Sequence, residues 1–390
     1  MTSKERVIRA IRRDPGRMPD RVPVQFDLCR ALTEHFAREL GVRADYALSY
    51  YEDLTYRISA NEIRTRMGSD CVVVGGTVAR GYAPRPVAAG ADACPVAQGQ
   101  GAGPAAPGAA ADVTENEFGM HMKPTALYVE VVKCPLESAS TVDDVRRYAF
   151  PDAYAPGRMD AAKRDIDRFG SEYFVIGDVE LSLFELAWHL TGLEKYLMAL
   201  ISEEEWIGLL NDRVQEWTTG LCRQLVAAGV DALWFGEDLG SQTSTLISPD
   251  MWRSFFKPRY KAMFDELRGL KKDLVIIMHS DGAVAPLLDD FIELGVDVYN
   301  PVQPNVPGSD PRELKTKYGS RISFFGGIDQ QGLLPAGDVA RIREEIETRI
   351  RILGEGGGYL LAPAHIVQAD VRPEAVTEMI RAAKDFGEYR

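Results

Sequence analysis

The chain has 390 residues, 45% hydrophobic and 26% charged, with a formal net charge of −13. That acidic balance speaks against a nucleic-acid-binding face, which needs clustered Lys and Arg. Five scattered cysteines without a CxxC pair exclude a disulfide framework, and no apolar run reaches membrane-spanning length, so a cytoplasmic protein is expected.

Residues 3–13 predict a short amphipathic helix, with Val7, Ile8 and Ile11 on one side and Thr2 or Ser3 as its cap. The stretch "RVPVQFD", residues 21–27, reads as a first strand. From residue 71 to about 135 there is no helical period, and this part is expected to decorate the main domain. It contains the run "AAGADACPVAQGQGAGPAAPGAAAD", too poor in large apolar side chains to build a core and expected to be a mobile loop. Residues 86–112 are therefore expected to be removable at little cost in stability. The G-Q-G-A-G piece is no dinucleotide fingerprint, because no strand leads into it and no helix comes after it. "TALYVEVVKCPL" then reads as a hairpin strand.

From residue 170 onward six apolar runs alternate with helical stretches. They end in Asp178, in Glu237 and Asp238, in His279 and Asp281, in Asn300 and Gln303, in Asp329 and Gln330, and in His365 and Gln368. The clearest helix between them has Val339, Ile342, Ile346, Ile350 and Leu353 at 3–4 spacing, with Gly354 as its stop. Such alternation implies parallel strands buried on both faces. Polar groups at every strand end favour a (β/α)8 barrel, where those ends share one mouth.

Two of the five histidines stand at such ends. His279 and Asp281 are two residues apart, so on an extended segment they project to the same side, with Gly282 allowing a tight turn. They suit a pair of metal ligands, or a histidine with an orienting carboxylate. The other reading has His279 bonded to a neighbouring strand and Asp281 capping the next helix. His365 completes a His, Asp, His set that leaves a tetrahedral metal one open position. Without metal, His365 would bond substrate. Asp238 and Glu237 are candidates for catalysis in the same mouth, one of them otherwise capping "SPDMWRSFF". Asp178, Asn300, Gln303 and Gln368 are candidates for substrate contact. The five tryptophans read as core packing. There is no GxSxG, HExxH or GxxxxGK[ST] motif.

Together "HSDG", "NPVQP", "FFGGIDQQGLLPAG" and "LLAPAHIVQADVRPEAV" resemble the uroporphyrinogen decarboxylase superfamily, as do "ENEFGMHMKP" and "CPLESASTVDDVRRYAFPD" nearer the start. The resemblance spans residues 1–390 and implies one distorted (β/α)8 barrel with an N-terminal helical segment and a β-hairpin insertion. True decarboxylases of this kind carry an arginine-rich run after the first strand; the matching stretch here offers only Arg30. The chain is more similar to the corrinoid-dependent methyltransferase arm. There the resemblance implies a zinc site, on His279, on Asp281 and His365 where that arm has cysteines. Replacing thiolates makes the site harder and suits it to an ether oxygen. The resulting expectation is methyl transfer from a small methylated, O-methyl donor to a corrinoid brought by a partner protein. The alternatives are metal-free decarboxylation of a porphyrinogen-like or other acid, and a non-catalytic ligand-binding barrel. The sequence allows a homodimer.

Overall fold

The structure, a computed structural model, describes residues 1–14, 16–51, 57–87, 113–125 and 129–389. The expected loop at 88–112 lies outside the described residues. Seven parallel strands form one curled sheet: β1 (Cys71–Gly75), β2 (Phe174–Val179), β3 (Ala232–Gly236), β4 (Val275–His279), β5 (Val298–Val302), β6 (Ser323–Ile328) and β7 (Tyr359–Pro363), hydrogen-bonded in that order. The architecture is a distorted (β/α)8 barrel.

The eighth stave is irregular. Residues 21–27 are expected to form a regular first strand; instead the stretch 22–28 meets β7 through bridges at Val24–Leu361 and, beyond it, Leu28–Val367. On the other side the Asp70 N–H donates to Val24 O at 2.7 Å, and the Asp70 carboxylate accepts from Val24 N–H at 2.8 Å. Pro23, near the start of the stave, has no N–H to offer a ladder, which is one reason the pairing is broken.

Side chains alternate across the wall as the strand period requires. Cys71, Val73, Phe174, Ile176, Ala232, Trp234, Ile277, Val298, Phe325 and Leu360 form an inner cluster. Their neighbours Val72, Val175, Leu233, Ile276, Phe324 and Leu361 face the outer helices. Helix α1 (Ser3–Arg12) adds Val7 and Ile11 to the inner cluster and so plugs the N-terminal end of the barrel. It starts in a capping box: the Glu5 N–H donates to Thr2 Oγ1 at 3.1 Å, and the Thr2 N–H to the Glu5 carboxylate at 3.2 Å.

The decorating segment begins later than expected, because Cys71–Gly75 pairs with β2 as a barrel strand. The decoration itself is a small four-stranded antiparallel sheet, larger than the single hairpin expected, from Arg85–Pro86, Thr114–Glu115, His121–Pro124 and Val129–Lys133. Arg158, wholly buried, anchors it: its guanidinium pairs with Glu117 at 2.6 and 2.9 Å and donates to Thr77 O at 2.9 Å. Among the described residues no helix is long and apolar enough to cross a membrane.

Candidate metal centre and barrel mouth

Strand register brings the polar ends together. Asp178 is level with Trp234, Gly236 with His279, and His279 with Asn300. One ligand atom each from His279, Asp281 and His365 lies within 4.8 Å of the other two. The two imidazole rings are 6.0 Å apart between centroids. His279 Nε2 is 3.7 Å from Asp238 Oδ1 and 3.9 Å from Asp281 Oδ1.

His279 and Asp281 are held from behind. His279 Nδ1 is 2.6 Å from Asn300 Oδ1, which also accepts from the Trp234 indole N–H at 3.1 Å. The two readings of His279 are therefore compatible: it bonds to the neighbouring strand through one nitrogen and faces the mouth with the other. The Asp281 N–H donates to Asp238 Oδ1 at 3.0 Å, and the Gly282 N–H to Gln303 Oε1 at 2.6 Å. Gly282 has φ +83°, and a Cβ there would stand 2.5 Å from the backbone of Gly240. No other residue type fits that turn without strain.

Burial sets the electrostatics. The Asp281 side chain keeps 32% of its surface on the mouth side, yet its Oδ1 is enclosed and accepts no hydrogen bond among the described residues. Burial, with repulsion from Asp238, pushes its carboxyl up to about 7. Burial and the nearby Arg57 lower the pKa of His365. Asp178 is pushed well above the carboxylate range by burial and by Glu180.

Arg57 was not singled out from the sequence. Its guanidinium lies 4.4 Å over the Trp234 ring and pairs with Glu180 at 2.9 Å, Asp178 at 3.2 Å and Asp27 at 3.4 Å. Burial opposes its charge, but Glu180, Asp178 and Asp27 outweigh that and hold its pKa above the ordinary value. Arg64 also reaches Asp27. Gln25, Asp27, Arg57, Trp234, His279, Asn300 and His365 enclose a small space beside the cluster, with room for about one water or ion. Trp234, expected as packing, is thus a wall of the site.

Glu237 leaves the set of catalytic candidates. It is wholly buried and points away from the mouth, to the start of α2 (Phe184–Thr191). It accepts from the N–H groups of Leu183, Phe184 at 2.9 Å and Glu185 at 3.0 Å, and from the Tyr260 hydroxyl. Its carboxyl is nevertheless pushed up to about 7 by burial. It caps a different helix from the one expected, since "SPDM" is capped by Ser248 itself, whose Oγ accepts the Met251 N–H at 3.2 Å. Asn300 and Gln303, expected to meet substrate, spend their carbonyl oxygens on His279 and Gly282. Gln368 is buried beyond β7.

A family model for uroporphyrinogen decarboxylase (URO-D) matches residues 113–386. The chain belongs to the URO-D family. Among solved structures, a methyltransferase from Methanosarcina mazei aligns over 99% of this chain and 99% of its own, with TM-score 0.67 and 18% identity. At that identity the likeness speaks for the URO-D fold. The GH53 catalytic domain of Ignisphaera aggregans covers 94% of this chain and 97% of its own at TM-score 0.42 and 11% identity, too low to carry an argument. No curated protein matches the sequence.

Proposed function

We propose that this URO-D family member is a metal-assisted methyltransferase. It would move a methyl group from a small O-methylated donor to the cobalt of a corrinoid carried by a separate protein. The observation that carries this reading is the convergence of His279, Asp281 and His365 at the mouth. Two imidazole nitrogens and a carboxylate oxygen suit zinc and leave a coordination position for a ligand. The enclosed Asp281 Oδ1, with no hydrogen bond to it among the described residues, fits a cation better than an empty mouth. Zinc held there would supply Lewis-acid polarisation of the donor's departing oxygen.

The remaining work falls to the chain. Asn300 and Gln303 hold His279 and the 281–282 turn in place. Asp238, whose side chain is 41% exposed, faces the same space and is positioned to orient the departing group or return a proton to it. Trp234 and Ile366 add apolar surface to the lining of the small space. The likeness to the Methanosarcina mazei methyltransferase along both full chains is in keeping with this reading. Decarboxylation of a porphyrinogen is disfavoured because acidic side chains (Asp27, Asp178, Glu180, Asp238 and Asp281) rather than free cations surround the mouth, and Arg57 is already paired with three of them.

The test is metal analysis of the purified chain, then a screen of methoxylated aromatics and methylamines with Co(I) cobalamin. About one zinc per chain and formation of methylcobalamin from a methoxy donor are expected. No zinc with decarboxylation of a porphyrinogen would replace this reading; neither zinc nor turnover would make the chain a ligand-binding barrel.

A further inference from the structure

We propose that Asn300 is a positioning residue that locks His279 in one tautomer, with the proton on Nδ1 and the Nε2 lone pair facing the mouth. This rests on the metal-site reading above, but it concerns an arrangement present in the chain itself.

The argument begins at Trp234. An indole N–H can only donate, so the atom of Asn300 that faces it at 3.1 Å must be the amide oxygen. This settles the orientation of an amide whose oxygen and nitrogen are otherwise easily exchanged. The same oxygen lies 2.6 Å from His279 Nδ1. An amide oxygen can only accept, so Nδ1 carries the hydrogen and donates it. In the neutral imidazole the other nitrogen then holds the lone pair. That nitrogen, Nε2, is the one 3.7 Å from Asp238 and 3.9 Å from Asp281.

The lock is rigid at each step. Asn300 is 3% exposed, so bulk water does not compete for its oxygen. Trp234 is pinned by Arg57 over its ring at 4.4 Å and by Phe325 at 5.2 Å between centroids. Asn300 is level with His279 in the β4–β5 register, so the contact is built into the pairing of two strands. An amide also supplies the acceptor without adding a sixth carboxylate to this mouth. A metal ligand whose far nitrogen is held in this way is pre-set for binding through the near one.

The experiment reads the tautomer directly. Ring-nitrogen NMR of the full chain, labelled in histidine, stripped of metal and held near pH ~8.5 where imidazole is neutral, should show His279 with its proton on Nδ1. His279→Gln assigns the signal. In Asn300→Leu two buried donors lose their acceptor, so the proton should move wholly or partly to Nε2, and zinc affinity should fall at least ~10-fold. Asn300→Asp, which keeps an acceptor, should restore the Nδ1 proton and most of the affinity. A wild-type chain with the proton on Nε2 would overturn the proposal, as would Asn300→Leu with unchanged tautomer and affinity. If Asn300→Leu does not fold, the wild-type spectrum and Asn300→Asp decide alone. A wild-type chain that binds no zinc would remove the methyltransferase reading, while the tautomer measurement would still decide the role of Asn300.

Discussion

Glu237 and Asp238 are neighbours in sequence and face opposite sides of the barrel wall. Strand alternation accounts for this: Trp234 points inward, so Asp238 does too, and Glu237 points out. The parity was legible in "DALWFGED", had the inward face been known from Trp234. The two carboxylates should therefore respond differently to substitution. Glu237→Gln should lose about 1–3 kcal/mol of stability, because an amide cannot accept from all the donors that converge there. Asp238→Asn should change stability by less than about 1 kcal/mol and lower turnover. Chemical denaturation and steady-state rates check both. A second residue-scale prediction concerns His189. Its Nδ1–H donates to Glu185 O at 2.9 Å, its Nε2 accepts from Tyr51 at 3.1 Å, and its ring stacks on Trp188 at 3.6 Å. Burial lowers its pKa from 6.5 to about 4. The unfolded chain thus binds the extra proton first, so stability is full above about 6.5 and falls as pH drops toward 4. The loss should reach ~3 kcal/mol at most. His189→Gln should start less stable at pH 7 and show a shallower decline over that window. Arg57 had no comparable signal in sequence, because a lone arginine in a connecting segment does not announce which strand ends it will meet.

At the scale of elements, the strands after residue 170 were readable because each is an apolar run, buried on both faces, that ends in a polar group. Cys71–Gly75 has the first property and lacks the second, ending in Gly75 with Gly76 after it, so the sequence does not separate it from the decoration that comes next. The stave at 22–28 was readable as extended chain, but Pro23 and its broken pairing were not foreseen. Two predictions belong here. The Val87 N–H donates to Val113 O at 2.8 Å, so the two residues that flank 88–112 lie side by side. Replacing those residues by a two-residue turn should shift Tm by less than about 3 °C, since a shorter loop lowers closure entropy only slightly. The removed stretch contains no apolar residue larger than Val96. A larger fall would mean that it packs on the barrel. Gly282→Ala should act oppositely, small in size and large in effect. The added Cβ meets the Gly240 backbone at a positive φ, so the 281–282 turn must shift and carry Asp281 with it. If the proposed site holds zinc, its content should drop while secondary structure by circular dichroism is retained.

The whole molecule is what joins His279 to His365, which no local sequence signal connects. If they serve one metal, His279→Ala and His365→Ala should each abolish methyl transfer, and the double variant should be hardly worse than either. Additive losses would assign them separate tasks. The seam of the barrel has a consequence in time. Leu361 must be made before it can accept Gln25 N–H at 3.0 Å and donate to Pro23 O at 2.9 Å. At the usual pace of synthesis, the stave at 22–28 leaves the ribosome on the order of tens of seconds before its partner exists. Throughout that interval the stave that carries Val22, Val24, Phe26 and Leu28, all buried in the finished protein, has no β7 partner along that edge. An incomplete chain of this topology is therefore open to aggregation for that interval, and its yield in cells is expected to rise with chaperone supply; a yield unchanged by chaperone co-expression would count against this.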